Sequence, residues 1–114
     1  MALAAMAMLV VAGCGSPAQP AGSIKVTMTE FQFAPSSIPA SSGKVVFFLV
    51  NSGTTSHNMV IRDSANKRIK ASELVSAGDS NVFTVDSLAA GTYTIFCDQQ
   101  GHEASGMKGT LTIT

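Results

Sequence analysis

From residue 24 onward, apolar side chains recur mostly at every second position, the period of a strand with one face buried. In residues 24–33 (IKVTMTEFQF), Ile24, Val26 and Met28 fall on one side and Lys25, Thr27 and Thr29 on the other. Phe31 and Phe33 follow with the opposite parity, so the run needs a bulge or bend near Thr29 and Glu30. Residues 44–50 (KVVFFLV) form an unbroken apolar, β-branched and aromatic run between Ser41-Ser42-Gly43 and Asn51-Ser52-Gly53. That pattern predicts a central strand of a sandwich. Residues 57–62 (HNMVIR), 81–85 (NVFTV), 91–97 (GTYTIFC) and 108–114 (KGTLTIT) are further strand candidates rich in Val, Ile, Thr, Phe or Tyr. Residues 67–77 (KRIKASELVSA) fit a short helical turn and an extended segment equally well, and the pattern does not choose. The fold class expected is all-β, a Greek-key β-sandwich.

The first 23 residues do not share this pattern. Residues 1–13 (MALAAMAMLVVAG) are wholly apolar or small and end at Cys14, the composition of a processing segment. Thirteen residues fall short of the roughly 20 that a membrane-spanning helix needs. The stretch Val11-Ala12-Gly13-Cys14 resembles a bacterial lipobox, in which cleavage leaves a lipidated cysteine at the new N-terminus. The resemblance implies an exported protein anchored to a membrane through lipid on Cys14, at the periplasmic or extracytoplasmic surface. Residues 14–23, rich in Pro, Ala, Gly and Ser, then form a solvated tether, and residues 24–114 form one domain. A Cys14–Cys97 disulfide is the alternative use of the two cysteines, since export permits bridges.

Charge narrows the function classes. Seven basic residues balance seven acidic ones, and none precedes Lys25, so the domain itself is balanced. Such a chain offers no nucleic-acid footprint and no polybasic patch for a lipid surface. A monomer of one domain is expected.

The chemistry gathers near the C-terminus. Strand side chains alternate, so Tyr93, Ile95 and Cys97 share a face, and a core-facing Ile95 carries Cys97 inward. Four residues separate Cys97 from His102 and four separate His102 from Met107. A thiolate, an imidazole and a thioether thus lie on one short loop. A trigonal His₂Cys set with a weak axial Met is the blue-copper pattern, and the other histidine of the chain, His57, supplies the missing imidazole. Structural zinc, the rival metal, takes three or four strong N or S donors, and a thioether in fourth place argues against it. Singly, a buried Cys, a core Met and a lone His are unremarkable. Their joint spacing beside strand ends and glycines is not.

The segments Ser56-His57-Asn58-Met59-Val60-Ile61, Gly91-Thr92-Tyr93-Thr94-Ile95-Phe96-Cys97, Gly101-His102 and Gly106-Met107-Lys108-Gly109-Thr110-Leu111-Thr112-Ile113 resemble the plastocyanin/azurin family of cupredoxins. The ligand loop is similar to the longer loops of auracyanin- and rusticyanin-like members. The resemblance implies one type 1 copper ion on His57, Cys97, His102 and Met107, and electron transfer between redox protein partners. It also implies that the Asn58 backbone N–H reaches the Cys97 sulfur, while its side chain ties the two ligand-bearing segments together. His102 is the exposed ligand that it implies, its ring edge opening through an apolar patch that includes Ala104. Without a charged patch, docking is expected to be apolar and only weakly dependent on salt.

Catalysis is disfavoured: a copper oxidase or nitrite reductase needs a second centre with its own histidines, and none is left over. Copper delivery or storage is the alternative function, since Cys, His and Met also bind Cu(I). Such proteins favour exposed Met and His clusters, whereas only Met28, Met59 and Met107 follow Gly13.

Overall fold

The structure, a computed structural model, describes residues 17–114. The processing segment 1–13, Cys14 and the lipid anchor or disulfide expected of it lie outside the described residues; among the described residues Cys97 forms no disulfide. Residues 17–23 contain no strand and are mostly exposed, closing in a turn where Ser23 donates to the Pro20 carbonyl. Among the described residues there is no helix long and apolar enough to cross a membrane.

Nine strands follow: β1 Ile24–Thr29, β2 Gln32–Ala34, β3 Ser37–Ala40, β4 Gly43–Asn51, β5 Val60–Arg62, β6 Arg68–Ala71, β7 Ser80–Leu88, β8 Gly91–Phe96 and β9 Lys108–Ile113. They build one sheet in the order β2-β1-β4-β7 and a second in the order β3-β9-β8-β5-β6. The pairing is antiparallel except for β1 on β4 and β3 on β9, which run parallel. This is the all-β, Greek-key sandwich that the alternation predicts.

The core forms between the inner faces. Val26 and Met28 of β1, Phe47 and Leu49 of β4, Phe83 and Val85 of β7 meet Ile61 of β5, Ile95 of β8 and Leu111 and Ile113 of β9. Phe47 and Phe83 stack with centroids 5.9 Å apart. The apolar run 44–50 is β4, and it is central as predicted, flanked by β1 and β7.

The structure decides four segments. Of the bulge or bend expected near Thr29 and Glu30 it shows the bend: β1 ends at Thr29, Glu30 and Phe31 form a turn, and β2 returns antiparallel along β1 with Met28 opposite Phe33. Residues 57–62 are not one strand. The regular strand starts at Val60, and His57 is held before it by a two-bond bridge with Val75, His57 N–H to Val75 C=O at 3.1 Å and Val75 N–H to His57 C=O at 2.8 Å. The pattern also passed over β3, in which Pro39 occupies an edge strand that can spare a donor. In the undecided segment 67–77 the extended form prevails: β6 is fully exposed and pairs with β5 along one side. Its Lys70 ammonium reaches across to the Thr84 carbonyl of β7, at 2.6 Å, linking the margins of the two sheets.

Candidate metal centre

The site assembles at the end of the second sheet, where the chain leaves β8, loops, and returns as β9. Cys97 directly follows β8 and is fully buried, on the same side as Ile95. From Cys97 to Met107 the backbone folds into successive turns: His102 N–H to Gln99 C=O, Ser105 N–H to Gly101 C=O and Gly106 N–H to Glu103 C=O. Gly101 and Gly106 carry positive φ, 80° and 110°, which side chains with a Cβ rarely adopt, so glycine at both positions lets the loop coil this tightly. Two further bonds draw the loop's ligand candidates together. Cys97 N–H donates to Met107 C=O at 3.1 Å, and Met107 N–H donates to His102 C=O at 3.0 Å. Met107 itself has no exposed surface.

His57 arrives from the segment before β5. His57 Nδ1 lies 4.0 Å from Cys97 Sγ, His102 Nδ1 lies 3.4 Å from the same sulfur, and the two Nδ1 atoms are 3.2 Å apart. An ion held at about 2.0–2.3 Å by two imidazoles and a thiolate in a plane spreads its donors about 3.5–3.8 Å apart. The observed separations bracket that range, so the three side chains fit a metal ion without rearrangement of the fold. Burial lowers the pKa of the His57 imidazole, against the raising effect of its carboxylate partner Glu30. The ring is therefore neutral near pH 7, the form that ligates metals.

The residues next to the ligands brace them. Asn58 Nδ2 donates to Asp98 Oδ1 at 2.7 Å, and Asp98 N–H donates to Asn58 Oδ1 at 3.1 Å, so the side chain of Asn58 joins the two ligand-bearing segments. Arg62 of β5 grips Glu103 in the ligand loop through both guanidinium nitrogens, at 3.1 and 2.6 Å, and lies over the Phe96 ring at 4.3 Å. Arg68 of β6 bonds Asp98 at 2.9 Å. Burial pushes the Asp98 carboxyl up, but bonds from Arg68, Asn58 and Gln99 outweigh it and hold the group below its ordinary value. The Arg62 bond does the same for Glu103.

Sequence reading missed Glu30 and Phe31. Glu30 sits in the β1–β2 turn, and its Oε1 accepts from Thr54 N–H at 2.6 Å, Thr55 N–H at 2.9 Å, the Thr55 hydroxyl at 3.1 Å and His57 Nε2 at 3.2 Å. The Thr55 and Thr54 amides hold its pKa down at about 2. Phe31 and His102 meet in a T-shaped contact, centroids 4.9 Å apart, and Phe31 is itself 38% exposed. His102 is only half-buried and Ala104 beside it is exposed, so this imidazole lies nearer the surface than His57. The only signal of either residue was the parity break at Thr29-Glu30, which marks a turn but no chemistry.

Comparison with known proteins agrees with the fold. The cupredoxin-like domain family matches residues 1–113. Plastocyanin from Scenedesmus fuscus is 35% identical over 88 residues, covering 71% of this chain and 85% of that protein. Auracyanin-B from Chloroflexus aurantiacus is 46% identical over 41 residues, 36% of this chain but only 17% of the relative's length. Among solved structures, dithionite-reduced auracyanin from Roseiflexus castenholzii superposes with a TM-score of 0.72 at 22% identity, covering 81% of this chain and 96% of that one, a likeness of fold. The chain thus belongs to the cupredoxin-like family, with His57, Cys97 and His102 as its candidate copper site.

Proposed function

We propose that this protein is an electron carrier whose single type 1 copper ion would be held by His57 Nδ1, Cys97 Sγ and His102 Nδ1, with Met107 as a weak fourth donor. The observation that carries the reading is the convergence of one thiol and two imidazole Nδ1 atoms within 4.8 Å of one another, from two separate segments. Bound copper supplies a one-electron couple, Cu(II)/Cu(I). The protein's share is a donor set acceptable to both states, on a frame that moves little between them. Asn58 with Asp98, and Arg62 with Glu103, tie the ligand loop to its neighbours and serve that purpose. His102, nearer the surface and beside the exposed Phe31, is the side on which electrons enter and leave.

The same reading makes the protein a carrier, not an enzyme. The apolar leader ending at Cys14 supports export and a lipid anchor, which would confine the carrier to a membrane surface within reach of its redox protein partners.

The test is to add Cu(II) to the purified protein and record the visible spectrum through repeated reduction and reoxidation. An intense blue charge-transfer band that cycles, and that Cys97→Ser abolishes, is the expected result. A pale complex indifferent to Cys97→Ser would overturn the electron-carrier reading, and rapid surrender of Cu(I) to a chelator would favour copper delivery.

A further inference from the structure

We propose that Glu30 is a positioning residue for the metal centre: it accepts a hydrogen bond from His57 Nε2–H, so that the Nδ1 lone pair faces Cys97 and His102, and its negative charge favours the oxidised centre. The inference rests on the copper reading above for its second half only.

A carboxylate accepts hydrogen bonds and cannot donate them, so the 3.2 Å contact between Glu30 Oε1 and His57 Nε2 places the proton on Nε2. A neutral imidazole carries one ring proton, which leaves Nδ1 unprotonated at the atom that faces the thiol. His57 has no exposed surface, so solvent does not compete for that choice.

The position of the carboxylate is built into the fold. Three donors from Thr54 and Thr55 hold the same Oε1. Gly53 admits it: a Cβ there would stand 2.9 Å from both Cδ and Oε2 of Glu30, closer than real contacts allow. Asn51, itself buried, shapes this cradle by accepting from Gly53 N–H at 2.9 Å and donating to the Thr55 and Val75 carbonyls. Glu30 belongs to the first sheet's turn, while every metal donor belongs to segments of the second sheet or the connections beside it. An anion bonded to a ligand stabilises Cu(II) more than Cu(I), because the interaction grows with the charge of the ion.

Two variants separate the proton from the charge. Glu30→Gln keeps an acceptor oxygen and loses the charge; Glu30→Ala loses both. Nitrogen-15 NMR of the metal-free protein should show His57 protonated at Nε2 in the wild type and in Glu30→Gln, and a mixture of tautomers in Glu30→Ala. In the copper-loaded protein, Glu30→Gln should raise the reduction potential by about 59 mV or more, a tenfold shift toward the reduced state. If Glu30→Ala does not fold, Gly53→Ala, which pushes the carboxylate out of its cradle, should give the same two changes.

A wild-type His57 protonated at Nδ1, or an Nε2 proton unmoved in Glu30→Ala and Gly53→Ala, would overturn the positioning role. An unchanged potential in Glu30→Gln would overturn the electrostatic one. The NMR result is read without copper, so a protein that shows the predicted tautomer and binds no copper would refute the electron-carrier reading and leave the positioning role standing.

Discussion

Asn58 and Asp98 exchange two hydrogen bonds, side chain to side chain at 2.7 Å and main chain to side chain at 3.1 Å, although 40 residues separate them. Each stands one position after a candidate ligand, His57 and Cys97. The pair therefore fixes the distance between the two ligand-bearing segments before any metal arrives. Replacing Asn58 by Ala removes both bonds and leaves a partly buried amide and carboxylate oxygen to find other partners. We expect a loss of about 2 kcal/mol. Urea unfolding of the metal-free protein should show the midpoint falling with an unchanged slope. A midpoint within error of the wild type would mean that Arg68 and Gln99 suffice to hold Asp98.

The second prediction concerns a glycine needed for space. A Cβ on Gly109 would run into the main-chain carbonyl of Ser36, whose carbon would lie 3.1 Å away. That carbonyl cannot retreat freely, because it accepts the Thr110 N–H at 2.8 Å where β3 joins β9. Gly109→Ala should cost about 1–3 kcal/mol, the range for overpacking. Calorimetry would show this as a lower Tm, and a Tm equal to the wild type would show that the β3–β9 edge yields easily.

A third test probes the core. Phe47 has no exposed surface and stacks on Phe83 in the middle of the first sheet. Phe47→Ala should cost about 3–5 kcal/mol, transfer and cavity contributions together. A loss below 1 kcal/mol would mean that the sandwich collapses into the void.

The fourth prediction follows from two depressed pKa values. His57 is lowered from its ordinary 6.5 by burial, so below that pH the unfolded chain takes up a proton that the native ring refuses. Glu30 is lowered from 4.5 to about 2 by the Thr55 and Thr54 amides, so between those values the unfolded chain again binds more protons. Both signs agree: the metal-free protein loses stability as the pH falls, first below 6.5 through His57 and then below 4.5 through Glu30. Unfolding midpoints measured from pH 8 to pH 3 should decline in that order. A profile that is flat or rises toward acid would contradict the burial of His57 and the amide cradle of Glu30.

Much of this was legible in the sequence, for definable reasons. Val26 and Met28 alternate with polar neighbours because only one face of β1 meets the core, and β4 reads as continuous because its other face also carries apolar side chains, Phe48 buried and Val46 and Val50 half-buried. Cys97 could be turned inward on paper because strand geometry couples it to Ile95. The loop donors could be grouped because their spacing is local. What stayed hidden was non-local or carried no pattern. Glu30 acts on a histidine 27 positions away through a turn, and a lone carboxylate at a parity break says nothing of its partner. Arg62 and Arg68 read as ordinary surface charges, yet both reach the ligand loop across the sheet. β6 is exposed along its whole length, so it has no buried face to impose an alternation.

The Lys70–Thr84 contact bears on how copies of this protein meet one another. β6 and β7 are the outer strands of their respective sheets on one side of the sandwich, and an outer strand invites a stranger to add itself to the ladder. Lys70 stands between them with its ammonium on a β7 carbonyl, and Arg68 lies on the same strand. A strand arriving at either of these two margins would have to displace a cation and cover its charge, so Lys70 guards β6 and β7 against edge-to-edge pairing with another copy.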